Sequence, residues 1–307
     1  MERIIFNISG GAGKNIMATA VIEAIKKAYP KSKIIISSPW GFVWENNPNV
    51  DEIISLEAKP FFYKEYLKDK NVKLFRLDPY NADDFFHRRK SLIEIWCDLC
   101  GVPYNGELPA LYYTEAENRT IKEKLFPVAL SLQTSSSRSE DLNKPLFFIQ
   151  PSGGAPNQPY PISWARDLPM STAQEIVKAM NEKGYRTIHL RRENQLPIEG
   201  AEWVPFTLRE ALGAIQHSQK RLFVDSVGAH AAAAWKLPSV VPWVINSPKV
   251  FGYEMHTNLL PESKEVFRHR AEAYLEPYNI MGIWSEHPYA DDKIFSAEKI
   301  IEALLKD

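Results

Sequence analysis

A strand, a glycine-rich turn and a helix follow one another at the start of this chain, and few folds accept that order. "RIIFNI", residues 3 to 8, is an apolar run of buried-strand length. "SGGAG" makes a turn, and "KNIMATAVIEAIKKAY" carries helical periodicity and stops before Pro30. "KIIIS" supplies the next strand. Such a series opens a parallel α/β sheet, in which ligands bind outside the carboxyl ends of the strands. The turn of Gly10, Gly11, Gly13, Lys14 and Asn15 therefore faces an expected site.

The alternation continues through "EIISL", "VKLFRL", a helix holding both cysteines, and a helix from Glu115 toward Leu125. The polar, serine-rich stretch "QTSSSRSEDLNKP" then interrupts it and reads as a flexible connection. A second series follows: strand "LFFIQ", a Gly/Pro-rich loop, helix "STAQEIVKAMNEKG", strand "YRTIHLR", helix "TLREALGAIQHS", strand "RLFVD", the turn and helix "SVGAHAAAAWK", and strand "SVVPWVI". Both halves look Rossmann-like. The expected organisation is an N-terminal domain over residues 1–130, a linker over 131–143 and a C-terminal domain over 144–307. A chain of 307 residues suits two domains of about 150.

A formal net charge of −1 gives no global attraction to a polyanion, which argues against broad nucleic-acid binding while leaving room for a local basic groove. No stretch approaches the roughly 18 apolar residues of a membrane span. Met1-Glu2-Arg3 leads into a short strand rather than a signal peptide, so a cytoplasmic location is the expectation. Oligomeric state is not readable.

Cys97 and Cys100, in "WCDLCG", have redox-motif spacing, but such motifs sit at a helix N-terminus, where the dipole lowers the thiol pKa. Here they close a helix whose apolar face is expected to comprise Leu92, Ile93, Ile95, Trp96 and Leu99, with Gly101 as its stop. Two cysteines alone make no zinc site.

The glycine turn partly matches a phosphate loop, G-x-x-x-x-G-K-[ST], in which backbone amides cradle the phosphates and the hydroxyl binds Mg²⁺. Lys14 follows Gly13 as required, whereas Ile8 stands at the first glycine position and Asn15 replaces the hydroxyl.

"RLFVDSVGAHAAAAWKLP", residues 221 to 238, carries more chemistry. A buried strand delivers Asp225 to its carboxyl end, and Ser226, Val227 and Gly228 turn into an alanine-rich helix with His230 in its first turn. Backbone amides and a positive helix end would there meet an anion, ideally a diphosphate. Helix capping alone would also account for the Asp and Ser.

This segment resembles the D-[ST]-G-x-x-H-x-x-A-A signature of glycosyltransferase family 9, the heptosyltransferase-like enzymes. "GKNIMATAVIEAIKKAYPKSKIIISSPWGFVWENNPNVDEII" is similar to the N-terminal segment of the same family. The resemblance implies an α/β GT-B fold, two Rossmann-like domains facing across a cleft, with a nucleotide-diphosphate sugar held mainly by the C-terminal domain. It also implies inverting transfer with neither metal nor other cofactor. Lys14 stands where the family places its general-base Asp, and Ile162 stands where its phosphate-binding Lys precedes Trp164. Arg166 could supply that missing charge. Val227 takes the signature's glycine position, and Gly228 follows it.

With the family base absent, "FRLDPYNADDFFHRR" offers Asp78 just after a strand as the first candidate base and His87 as the second; Asp83 and Asp84 lie between them. Ser152, Gly153 and Gly154 follow the "LFFIQ" strand, and their glycines permit close approach to a donor. Arg191, Arg192 and Glu193 end the next strand, as ligand contacts or as a solvated charge run.

The expected function is transfer of a sugar from a nucleotide diphosphate to an acceptor hydroxyl. The donor set is Ser152, Gly153, Arg166, Asp225, Ser226, Gly228 and His230. The acceptor is a saccharide, a protein or a modified nucleobase. The alternatives are a P-loop-like NTPase and a non-catalytic sugar-nucleotide binder.

Overall fold

The computed structural model describes residues 2–55, 60–127, 143–153, 166–244, 246–261 and 294–306. Two compact units divide the chain. The first comprises Met1–Thr114 with Ala233–Trp235 and Lys249–Phe251; the second comprises Glu115–Ala232, Lys236–Pro248 and Gly252–Asp307.

In the first unit, strand β1 (Arg3–Asn7) leads through the glycine turn into helix α1 (Ala12–Ala28). Strands β2 (Lys33–Ser37), β3 (Glu52–Ile54) and β4 (Val72–Phe75) complete a parallel sheet in the order β3-β2-β1-β4. β1 is central and buries Ile4, Ile5 and Phe6, which is why its sequence is a continuous apolar run. Helix α1 begins two residues earlier than its periodicity suggests and buries Ile16, Val21 and Ile25; Lys26 and Lys27 sit in its last turn, where the helix dipole favours cations.

Helix α2 (Leu92–Leu99), capped by the Ser91 hydroxyl accepting from the Glu94 amide, packs on α1. It buries Leu92, Ile93, Ile95, Trp96 and Cys97, while Leu99, expected on that face, is 39% exposed. Leu99, seven residues after Leu92, keeps the angle of the buried stripe but is the last residue of this short helix, where its side chain is left partly exposed. Gly101 follows with φ +67°, the left-handed stop its position implied. Burial pushes the Cys97 and Cys100 thiols up to about 12.

The second unit opens with helix α3 (Glu115–Leu125), which the sequence reading assigned to the N-terminal half. Its side chains find partners within the second unit: Lys124 with Glu210, Glu117 with Arg209, and Asn118 with Gln216. Residues 131–142 of the expected linker lie outside the described residues.

Strand β5 (Leu146–Gln150), helix α4 (Met170–Glu182), strand β6 (Arg186–His189), helix α5 (Leu208–Ala214), strand β7 (Lys220–Phe223) and helix α6 (Val227–Ala234) follow. Strands β8 (Val240–Pro242) and β9 (Thr257–Leu259) and helix α7 (Ala297–Leu305) complete the unit. The sheet is parallel throughout, in the order β6-β5-β7-β8-β9. α4 and α7 pack together over a core of Phe147, Ile149, Ile176, Met180, Leu222, Ile300 and Leu304. Because the strands run in one direction, the carboxyl ends of β5, β7 and β8 lie on one edge.

Candidate functional site

Gln150, the last residue of β5, fixes the geometry of the second unit's site. Its Nε2 donates to Ser226 Oγ over 3.1 Å and its Oε1 accepts from the Gly228 amide at 3.1 Å, tying the end of β5 to the start of α6. A Cβ at residue 228 would stand 2.6 Å from Gln150 Oε1 and 2.8 Å from Phe223 Cδ1. Only glycine lets the helix seat this tightly on β5 and β7. The glycine displaced in the sequence signature thus marks the position where the helix seats on its strands.

Gly153 completes the same corner. Its amide donates to Asp167 Oδ1 over 2.7 Å, and a Cβ there would lie 3.4 Å from Arg166 Cδ and 3.5 Å from Ser226 Cβ. Buried Asp225 accepts from Asn246 Nδ2 and lies 3.9 Å from Arg166 Nε. Arg166 remains 42% exposed along its side chain, so its guanidinium holds the carboxylate while keeping an open side. Among the described residues, no acceptor reaches the amides of Ser226 and Val227, both half-buried at the positive end of α6. Gly153, Arg166, Asp225, Ser226 and Gly228 are therefore brought together, with half-buried Ser152 adjacent in the chain. Gly154, Ile162 and Trp164 lie outside the described residues.

His230 is buried in the first turn of α6, with Nδ1 3.0 Å from Tyr253 Oη. Burial lowers its pKa to about 4; nearby Asp225 opposes this, and His256 and Arg166 add to it. The imidazole is neutral at physiological pH. His256, lowered to about 4 chiefly by burial, stands with Nε2 3.0 Å from the Ala229 carbonyl. Arg191 is occupied in its own loop: Nη1 donates to the carbonyls of Arg192, Glu193 and Gln195, and the guanidinium stacks on Trp203 at 4.9 Å.

Sequence reasoning missed Gln150, Asn246 and Tyr253. A signal existed for the first: "LFFIQ" is apolar until its final residue, and a polar side chain ending a buried strand at the ligand edge has to find a partner there.

In the first unit, Gly10 adopts φ +94°, with Lys14 Cδ 3.0 Å from where a Cβ would stand, and its carbonyl accepts from Trp40 Nε1. Gly11 caps α1, and Gly13 is half-buried within it. Lys14 is buried, not solvated. Its Nζ donates to Asp78 Oδ1 over 3.0 Å and lies 4.6 Å and 5.3 Å from the ring centroids of Tyr80 and Trp96. Asp78 Oδ1 also accepts from the Tyr80 amide, and the Asp78 side chain is 38% exposed.

Asn15 is fully buried. Its Nδ2 donates to the Gly11 carbonyl, and its Oδ1 accepts from Ser38 Oγ and Trp44 Nε1, so it braces the turn from behind. His87 is exposed and pairs with Asp83, with Nε2 3.2 Å from Oδ1. An NTPase phosphate loop needs a lysine reaching outward and a hydroxyl for Mg²⁺. Here the lysine is held by a carboxylate and the hydroxyl position is occupied by a buried amide.

By sequence, no family model and no curated protein matches the chain. Solved structures do. The glycosyl transferase family 9 protein from Veillonella parvula covers 98% of this chain and 95% of its own length, with TM-score 0.63 and 15% identity. The ADP-heptose lps heptosyltransferase II of E. coli covers 91% of this chain and 99% of its own, with TM-score 0.63 and 15% identity. The E. coli heptosyltransferase WaaC, solved with ADP, covers 90% and 98%, with TM-score 0.53 and 11% identity. The chain has the GT-B fold.

In this GT-B chain the likeness extends over nearly the full length, so both parallel sheets belong to it. No described helix is long and apolar enough to cross a membrane. Among the described residues no group of three or more His, Cys, Asp or Glu is placed to hold a metal ion.

Proposed function

We propose that this protein is a glycosyltransferase that moves a sugar from a nucleotide diphosphate to an acceptor hydroxyl. The observation that carries the reading is the start of α6. Two backbone amides without a protein acceptor among the described residues, the Arg166 guanidinium and a neutral His230 lie on the ligand edge of a GT-B sheet. Such a set suits a diphosphate, whose negative charge grows as the sugar departs.

The acceptor oxygen attacks the anomeric carbon, the bond from that carbon to the diphosphate oxygen breaks, and the bonding electron pair leaves with the diphosphate. Direct displacement inverts the anomeric centre. The helix-end amides, Arg166 and His230 stabilise the departing group without a resident metal. Asp78 takes the acceptor proton: its Oδ1 is held by Lys14 and the Tyr80 amide, which aims the carboxylate, and its partial exposure leaves it open to solvent and substrate. Lys14 thus keeps a carboxylate at work although the family's own Asp is gone. The acceptor is a saccharide, a protein or a modified nucleobase.

ADP-sugars come first in a thermal-shift panel, because one solved neighbour is named for ADP-heptose and another was solved with ADP. UDP- and GDP-sugars, ATP and GTP complete it, each with Mg²⁺ and with EDTA. Stabilisation by one nucleotide sugar in EDTA supports the reading. Stabilisation by ATP or GTP only with Mg²⁺ overturns it.

A further inference from the structure

We propose that Tyr253 is a positioning residue that fixes the tautomer of His230, so that His230 presents Nε2–H as a hydrogen-bond donor. The consequence for transfer rests on the glycosyltransferase reading above; the tautomer itself does not.

Two observations and two rules of hydrogen-bond chemistry support this. His230 Nδ1 and Tyr253 Oη are 3.0 Å apart and buried, a hydrogen bond shielded from competing water. Of the two ways to place the proton, O–H···N is favoured, since a phenol is the stronger donor and an imidazole nitrogen the stronger acceptor. A neutral imidazole carries one proton, so accepting at Nδ1 places it on Nε2. The surroundings keep the ring neutral: burial disfavours a positive charge there and outweighs the opposing pull of Asp225, while His256 and the Arg166 cation add to its effect.

Tyr253 is itself held. Its ring meets those of His230 and His256 edge-on at 5.8 Å and 5.5 Å, and its carbonyl accepts from Asn258 Nδ2. His256 is fixed in turn, because Nε2 facing the Ala229 carbonyl must carry the proton. The first turn of α6 is thus backed by two histidines whose partners set their tautomers. Next to a departing diphosphate, a fixed Nε2–H donates a hydrogen bond without transferring its proton, and it needs no reorientation as charge develops. Without Tyr253 the ring would divide between tautomers, and the Nδ1–H form would present a lone pair to the anion.

The test is ¹⁵N NMR of the histidine-labelled full-length protein at neutral pH, with the His230→Gln spectrum assigning the His230 signals. The expected result is a protonated Nε2 and a pyridine-type Nδ1 in the wild type, and mixed-tautomer shifts in Tyr253→Phe. A protonated Nδ1 in the wild type, or an unchanged tautomer in Tyr253→Phe, overturns the proposal. With a donor in hand, Tyr253→Phe should lower kcat about 10-fold while changing donor KM less than threefold; equal losses in both would mark a packing role and also overturn it. Because the spectrum needs no substrate, a protein that transfers no sugar would refute the functional reading and leave the tautomer tested.

Discussion

Lys14 Nζ lies 3.0 Å from Asp78 Oδ1, so the first turn of α1 is tied to the residue three places beyond the end of β4. The two partners lose hydration unequally: the lysine is buried and the aspartate is 38% exposed. Removing Asp78 therefore strands a buried cation, while removing the Lys14 charge leaves a carboxylate that water can reach. Asp78→Asn should cost about 2–3 kcal/mol in denaturant unfolding and Lys14→Met about 1 kcal/mol, with the double variant more stable than Asp78→Asn alone. Strictly additive costs would contradict the pairing. In transfer assays Asp78→Asn should fall roughly 10²- to 10⁴-fold with donor affinity retained.

Two glycine substitutions separate close packing from open space. Gly228→Ala drives a methyl group into Gln150 and Phe223 and should destabilise the second unit by about 1–3 kcal/mol while weakening donor binding. Gly11→Ala meets nothing within 4 Å, so only the poorer N-cap preference of alanine is felt and the cost should stay below about 1 kcal/mol. Equal melting temperatures for the two variants would show that α6 does not seat on β5 and β7 as described.

Much of this was legible in the sequence, and the reasons are local. β1, β2 and β5 are apolar runs because parallel strands are buried on both faces, and β7 was found from the apolar Leu222-Phe223-Val224 at its carboxyl end. Asp225, Ser226, Gly228 and His230 were legible because turn chemistry and helix entry occupy adjacent residues. β9 was not, since three residues, one exposed and two half-buried, give no period. Nor was the bond from Lys14 to Asp78, or that from His230 to Tyr253: each joins distant parts of the chain, and no local pattern encodes such a meeting. A cation at a helix N-terminus needs an anion beside it, and in the first unit Asp78 is the carboxylate that Lys14 meets.

Acid should destabilise the second unit. His189, His230 and His256 are each lowered to about 4, in every case chiefly by burial. The unfolded chain takes up these protons near pH 6.5 and the folded chain does not. Stability is therefore full above about 6.5, falls as pH drops through 6 and 5, and levels off below about 4, with a loss of at most about 3 kcal/mol per histidine. Denaturant unfolding at pH 7.5 and 5.0 measures this; equal stability at both would contradict the neutral buried histidines.

Cys97 and Cys100 should behave as core residues. With both thiols at about 12, almost no thiolate exists at pH 8, and both side chains are buried. A disulfide-exchange reagent such as DTNB should label neither within minutes in the native protein and both at once in denaturant. Rapid native labelling would reopen a redox role for "WCDLCG".

Calorimetric titration of a nucleotide-diphosphate sugar in EDTA, on wild type and Ser226→Leu, addresses donor binding at the start of α6 most directly. The bulky side chain would crowd the turn proposed to receive the diphosphate, and it also removes the hydrogen bond from Gln150 Nε2, so the variant's fold is checked by its melting temperature. The expected result is saturable metal-free binding by the wild type and at least a 10-fold weaker affinity in a correctly folded Ser226→Leu. Equal affinity in both proteins, or binding that appears only with Mg²⁺ and ATP, would contradict it.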